Sequence, residues 1–491
     1  MVRPLDRRHV RDEHGWVGRA LVSLVLVALV GAGVAAWRLD LVEPWYDHFV
    51  GDDTAAPPAA GPAAAPPPGL ELPEVSAAPD VDAPLDPPGR IDAALVEQAL
   101  APYLAAKELG PHVVGTVADL TDGRPVVQLG DGTAAMPASV TKLLTTTAAL
   151  STLGPDARFS TRVIAGGKGR IVLVGGGDPL LASAPPDGTP YPERADITTL
   201  AAQTAAALTE LGRTRVRLGY DDSLFSEPTF NPAWPDHYLP ENVVSRITAL
   251  WVDEGRPETG SGRVEDPSLY AAQTFAAALV ANGIEVVGAP EHGIAADGRE
   301  LASVQSAPLR EIVQHVLEAS DNEAAEVLSH QVGKAVSGTG SFTDGAAAVL
   351  TTLEGLGVPT GDLVVHDGSG LSRENRITPE ALVDLLRVVV DPAHPELGAV
   401  AAGLPVAGFS GSLTNRFDEA FPEARGLVRA KTGTLTNVSS LAGIAVDQDG
   451  HLMVFALMAD QIKQVDETKA QRTLDAAAGA LGACHCGAVP N

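Results

Sequence analysis

The sequence predicts an α/β protein of the α+β type: an antiparallel sheet flanked by helices, with a smaller α/β domain inserted into it. Three observations carry this. A hairpin pattern followed at once by a helix opens the ordered chain, and strands plus a helix close it, so the two ends complete one sheet. Between them, residues 161–299 alternate short strands and helices, the pattern of a separate α/β unit. A proline-rich stretch sets off everything before residue 91.

At the start, Arg3, Arg7, Arg8, Arg11 and Arg19 precede an apolar run of 18 residues, 20–37. That length is at the lower edge of a bilayer-spanning helix. The basic side stays in the cytoplasm, so the remainder is exported. Residues 1–19 read as a cytoplasmic basic segment and 20–37 as a membrane anchor. A signal peptide cleaved after Val34-Ala35-Ala36 is the alternative. Residues 38–90 read as linker. Eleven of the 40 residues from 51 to 90 are proline, too many for a packed core.

Residues 91–109 read as an amphipathic helix kinked at Pro102. Residues 112–120, Thr121-Asp122-Gly123 and 125–129 read as a hairpin. A helix carrying Ser139-Val140-Thr141-Lys142 follows, with Pro137 just ahead and Val140, Leu143 and Leu144 to bury it. In the insertion, 157–174 reads as two strands ending in Gly175-Gly176-Gly177. These glycines lack the Lys-Ser/Thr ending of a phosphate loop and read as a tight turn. Helices are expected at 196–211 and 268–282, and strands at 214–219 and 284–287. A helix up to Ala319 then meets Ser320-Asp321-Asn322 and a second helix. Residues 378–390 form a capped helix, 426–459 turn to strand through Lys431-Thr432-Gly433-Thr434, and 464–481 close as a helix. The catalytic domain is therefore 91–160 joined to 300–482, with a tail at 483–491.

A net charge of −28 excludes a nucleic-acid surface. The only cysteines are Cys484 and Cys486. Two cysteines make no disulfide scaffold, and a bridge between residues two apart is expected to be strained. Cys484-His485-Cys486 has no second ligand cluster in the sequence to make a metal site, so the tail reads as bland. No metal and no organic cofactor is implied.

The chemistry lies in three short motifs. A serine and a lysine three apart share one helix face. A serine hydroxyl is a weak nucleophile near neutral pH, and a desolvated lysine can serve as its base. In this reading Ser139 attacks a carbonyl and Lys142 takes its proton. The N–H groups of Ser139 and Thr434 form the oxyanion site. Ser320 passes a proton to the leaving amine, helped by Lys431. Asn322 holds the substrate amide. Lys431, Thr432, Gly433 and Thr434 receive a terminal carboxylate. Asp321 caps the helix behind it.

Ser-x-x-Lys, Ser-Asp-Asn and Lys-Thr-Gly in that order are the signature of penicillin-recognising serine acyl-transfer enzymes. Further stretches are Gly175-Gly176-Gly177-Asp178-Pro179, Asp221-Asp222-Ser223-Leu224-Phe225, Ala249-Leu250-Trp251-Val252-Asp253, Asp367-Gly368-Ser369-Gly370-Leu371-Ser372 and Leu404-Pro405-Val406-Ala407-Gly408. With these, the chain from about 90 to 482 resembles the class C low-molecular-mass penicillin-binding proteins, the D-alanyl-D-alanine carboxypeptidase/endopeptidase family. The resemblance implies a transpeptidase/β-lactamase-like fold and cleavage of D-Ala-D-Ala in peptidoglycan stem peptides. It also implies β-lactams as covalent inhibitors, and an extracytoplasmic, wall-facing enzyme held by 20–37 or secreted. Two rivals stand beside this expectation: a β-lactamase, and an inactive peptidoglycan-binding protein. Glu227-Pro228-Thr229-Phe230-Asn231 is similar to the deacylating Glu-x-x-x-Asn of class A β-lactamases. It precedes the Ser-Asp-Asn motif instead of following it, and reads as a surface loop.

Overall fold

A computed structural model describes residues 89–487, apart from 260 and 418–420. The basic segment, the apolar run and nearly all of the linker expected before residue 91 lie outside the described residues. No helix among the described residues is long and apolar enough to cross a membrane.

The chain begins with α1 (Ala93–Leu104), β1 (Val113–Asp119) and β2 (Pro125–Leu129). A 3-10 turn at Ala138–Thr141 runs directly into α2 (Lys142–Leu153). Then come β3 (Ser160–Ala165), β4 (Arg170–Val174), α3 (Ile197–Glu210), β5 (Arg215–Asp221) and α4 (Pro267–Ala281). Short strands β6 (Glu285–Val286) and β7 (Glu291–His292) precede β8 (Glu300–Gln305). Five helices follow: α5 (Leu309–Ala319), α6 (Asn322–Ser337), α7 (Phe342–Gly355), α8 (Pro379–Val389) and α9 (Gly398–Ala402). Strands β9 (Val428–Leu435), β10 (Val438–Val446) and β11 (Leu452–Ala459) lead to α10 (Glu467–Ala483).

The two chain ends build one five-stranded sheet in the order β2-β1-β11-β10-β9. All of its pairings are antiparallel, with Val113 opposite Ala459 and Lys431 opposite Ala442. Helices α2, α5, α6 and α8 bury one face of it through residues such as Leu143, Leu317, Leu328 and Leu386. Helices α1 and α10 cover the other through Val96, Leu100 and Leu474. The second sheet, β6-β5-β4-β3-β8, is mixed: β4 and β5 are parallel, whereas β3 pairs antiparallel with β4 and β8. Helices α3 and α4 pack on it through Leu200, Leu208 and Phe275. A smaller cluster joins Trp234, Tyr238 and Trp251 of this region to Val327, Phe342 and Leu371.

Capping explains several boundaries. Asp196, Asp266, Asp321 and Thr378 each accept the N–H three residues on, at the starts of α3, α4, α6 and α8. Four sequence expectations differ from the structure. Helix α1 ends at Leu104, because Pro102 in its last turn supplies no N–H and a separate 3-10 turn takes 107–109. Helix α7 was not anticipated. Strand β8 lies in the second sheet, so that sheet reaches past residue 299. The tail is not bland. Its extended backbone points Cys484 and Cys486 to the same side with Cα atoms 5.4 Å apart, and a disulfide joins them. Asp92 N and Gln448 N donate to the carbonyls of Cys486 and Cys484 at 2.8 and 2.9 Å, pinning the segment.

Candidate active site

The Ser139 turn is held from two sides by close backbone approach. Ala138 stands at φ 49°, a left-handed conformation unusual for alanine. On one side Gly433 of β9 comes so near that a Cβ there would lie 2.4 Å from Pro137 O and 2.1 Å from Ser440 Oγ. Ser440 Oγ itself donates to Pro137 O at 2.5 Å. On the other side a Cβ on Gly370 would fall 1.9 Å from Ala138 O. Only glycine lets strand and loop close on the turn, so Ser139 is fixed by main chain rather than by its own side chain.

Lys142, the first residue of α2, is fully buried. Its Nζ donates to Ser139 Oγ at 3.1 Å, to Asn322 Oδ1 at 2.7 Å and to the Ser369 carbonyl at 2.8 Å. Burial lowers its pKa from 10.5 to about 8, against the opposing pull of Asp367, Glu326, Asp321 and Glu323. A lysine in this state gives up its proton at mildly alkaline pH and is suited to act as base for the serine 3.1 Å away.

Ser320 ends α5 in the left-handed region, at φ 58° and ψ 38°. The adjoining Asp321 turns away to cap α6, so Ser320 and Asn322 face the cleft from two helix ends. Across it, Lys431 is buried in β9 and donates to Ser320 Oγ at 2.8 Å and to Thr432 O at 2.9 Å. Its pKa is well below the usual lysine value through burial, then repulsion from Lys142 and Arg416. Thr432 Oγ1 shares a 2.8 Å hydrogen bond with Ser412 Oγ. Thr434 is exposed farther along the strand, opposite Ser439. Hydrogen bonds thus join Ser139, Lys142 and Asn322, and separately Ser320 and Lys431. Thr432, Gly433 and Thr434 continue the strand beside the Ser139 turn.

Residues 96–260 and 255–481 match the family model described as the D-Ala-D-Ala carboxypeptidase 3 (S13) family. This chain belongs to the S13 peptidase family. It is 35% identical over 486 residues to carboxypeptidase DacB of Mycolicibacterium smegmatis, covering 97% of this chain and 98% of that one. It is 30% identical over 410 residues to the D-alanyl-D-alanine carboxypeptidase of Actinomadura, covering 68% and 75%. Among solved structures, penicillin binding protein 4 of Haemophilus influenzae superposes with TM-score 0.65 at 20% identity, over 78% of this chain and 98% of that one. The expected fold and family are therefore both found. The likeness to solved structures is one of fold.

For an S13 peptidase, the structure adds side chains that the three motifs did not name. Glu326, fully buried on α6, accepts the N–H groups of Gly368 and Ser369 at 3.1 and 2.7 Å. It thereby aims the Ser369 carbonyl at Lys142. Burial, then the nearby Asp367, pushes its pKa up to about 8. Asp367 in turn accepts from Gly370 N, Ser372 N, Asn375 Nδ2 and the indole of Trp234, at 2.6–2.9 Å. Asp367-Gly368-Ser369-Gly370 stood out in the sequence only as a family stretch. A carbonyl acceptor has no residue-type signature, so its role was not readable there. The Glu227 carboxylate stays within its own loop, accepting from Thr229 N at 3.1 Å. Asn231 is buried rather than on the surface, donating to the His366 carbonyl and accepting from Ala233 N.

Proposed function

We propose that this chain is an exported serine D-alanyl-D-alanine carboxypeptidase, acting also as a DD-endopeptidase, that works through an acyl-enzyme at Ser139. The observation that carries the reading is the buried Lys142 Nζ 3.1 Å from Ser139 Oγ, which acts as base in its neutral amine form. Lys142 Nζ removes the hydroxyl proton as Oγ attacks the carbonyl carbon of the penultimate D-Ala. The N–H groups of Ser139 and Thr434 take the developing oxyanion. The C–N bond breaks, and the leaving amine takes a proton relayed through Ser320 with Lys431 behind it. Asn322 orients the substrate amide. Lys431, Thr432 and Thr434 receive the terminal carboxylate, with Gly433 letting their strand close on the Ser139 turn. Water then cleaves the ester and restores Ser139.

Penicillins present an equivalent carbonyl, so they acylate the same serine. The solved relative from Haemophilus influenzae has been crystallised with a β-lactam. A β-lactamase would need a second base to clear that adduct, and Glu227 bonds within its own loop instead. The substrate lies in the cell wall, and residues 20–37 anchor the enzyme on the outer side of the membrane.

The test is release of D-Ala from a synthetic stem pentapeptide, with intact mass measured after penicillin treatment. Wild type should release D-Ala and carry one penicillin on Ser139, while Ser139→Ala should do neither. Equal release by both proteins would sink the reading, and rapid turnover of penicillin would favour the β-lactamase.

A further inference from the structure

The inserted region reaches the Ser-Asp-Asn turn through charge. Asp253, Glu254 and Gly255 lie between β5 and α4 and are all left-handed, at φ 50°, 55° and 70°. They turn the chain so that the following residues run back toward α6. Ser245 Oγ holds the turn by donating to the Glu254 carbonyl. Arg256 pairs with Glu254 and lies 3.8 Å from Glu323. Arg263 donates to Glu323 Oε1 at 2.8 Å. The side chains of Arg263 and Glu323 are 11% and 4% exposed. Glu323 directly follows Asn322 in the first turn of α6, and Asn322 Oδ1 accepts from Lys142 Nζ at 2.7 Å.

A buried ion pair adds little net stability over apolar packing, since desolvation offsets the attraction. What it adds is direction. We propose that Glu323, gripped by Arg263 of the inserted region, is a positioning residue that sets Asn322 against Lys142, so that the insertion sets the rate of acylation. The proposal rests on the acyl-enzyme reading above. Around Glu323 stand Asp321 on the same turn and Arg256 and Arg263 from the insertion. Lys142 feels Asp367, Glu326, Asp321 and Glu323, with Lys431 opposing them. Glu323 therefore acts on the lysine by placement and by charge.

Stopped-flow acylation by a chromogenic cephalosporin separates the two steps that matter, initial binding and ester formation. Arg263→Ala should slow ester formation about 10- to 100-fold, the scale expected for a small misplacement of reacting groups, with initial binding unchanged. Arg263→Lys keeps the cation and should restore most of the rate. Glu323→Gln keeps the shape and removes one carboxylate that favours the protonated lysine. Its acid limb of the acylation profile should therefore move to lower pH, which a merely structural role would not cause. Should Arg263→Ala fail to fold, Glu323→Gln decides alone. Wild-type acylation in Arg263→Ala overturns the proposal. So does an unmoved acid limb in Glu323→Gln, or a loss that tracks the folded fraction seen by circular dichroism. Wild type that forms no adduct overturns the acyl-enzyme reading as well.

Discussion

Lys431 Nζ donates to Ser320 Oγ across 2.8 Å, although 111 residues separate the two in sequence. The lysine comes from a strand of the first sheet and the serine from a left-handed helix end. Neither element has a local need for the other. The pair joins the strand side of the cleft to its helical side, and its position suits a relay to a departing amine.

Ser320→Ala should leave that amine without its proton donor. Acylation by labelled penicillin is expected to slow about 10²–10⁴-fold, the usual cost of losing general acid–base help. Initial binding should persist, because Lys431 keeps its bond to Thr432 O and its place on the strand side of the cleft. Stopped-flow measurement of both constants checks this. A variant acylated at the wild-type rate would show that the proton takes another route.

The base can be tested by pH. Lys142 titrates at about 8, and only its neutral form accepts the Ser139 proton. The acylation rate should therefore rise with pH through about 8, as the fraction of free amine grows. Lys142→Arg keeps the charge but cannot deprotonate. It should lose on the order of 10³-fold or more in acylation, with no alkaline rise. A flat wild-type profile from pH 6 to 9 would remove Lys142 from the role of base.

The parts of this site that announce themselves in the sequence are those where chemistry demands a residue type. Ser139, Lys142, Ser320, Asn322 and Lys431 are all of that kind. Hydrogen bonds join Ser139, Lys142 and Asn322 in one group and Ser320 with Lys431 in another. Glu326 is different. A glutamate inside a helix reads as a solvated face, and only the close approach of the 367–370 loop gives it a buried task. Helix α7 went unread for another reason. Its Gly345 lowers helix propensity, yet that glycine is what lets α7 lie on α6, since a Cβ there would fall 2.6 Å from Ser329 Oγ. The cap was visible in Ser341, which accepts from Asp344 N at 3.1 Å. That the opening hairpin and the closing strands share one sheet followed from their patterns at the two ends of the ordered chain, whereas the strand order did not. The reach of the second sheet to β8 depended on a pairing between Ser160 and Gln305 that no local pattern encodes.

Glu326 gives a prediction about stability. Its folded pKa of about 8 lies above the ordinary 4.5, so folding favours the protonated acid. The sign follows from that. The stabilising contribution is full below about pH 4.5, falls as pH rises, and is lost by about pH 8. Glu326→Gln removes this titration, so the difference in Tm between wild type and variant should change steadily across that window. The amide also puts an NH2 donor in place of one of the two oxygens that receive the Gly368 and Ser369 N–H groups. The Ser369 carbonyl should shift, and acylation should slow about 10-fold or more. Thermal melts at several pH values, paired with acylation rates, check both halves. A Tm difference that is constant with pH would contradict the first.

Trp234 is the last test, because it links the 222–252 segment to the loop that faces Lys142. Its indole Nε1 donates to Asp367 Oδ2 at 2.7 Å, and its ring lies edge-on to Phe230 and Phe342. Trp234→Phe keeps aromatic packing and removes one of four donors to a buried carboxylate. The expected cost is about 1–3 kcal/mol, the range for leaving a buried polar group less than satisfied. Asp367 retains Gly370 N, Ser372 N and Asn375 Nδ2, so the loop should keep its course. Acylation should accordingly fall far less than in Glu326→Gln, while the melting midpoint drops. Chemical denaturation and acylation rates measured on one preparation separate these effects. A variant that is as stable as wild type but poorly acylated would mean that the indole orients substrate rather than the 367–372 loop.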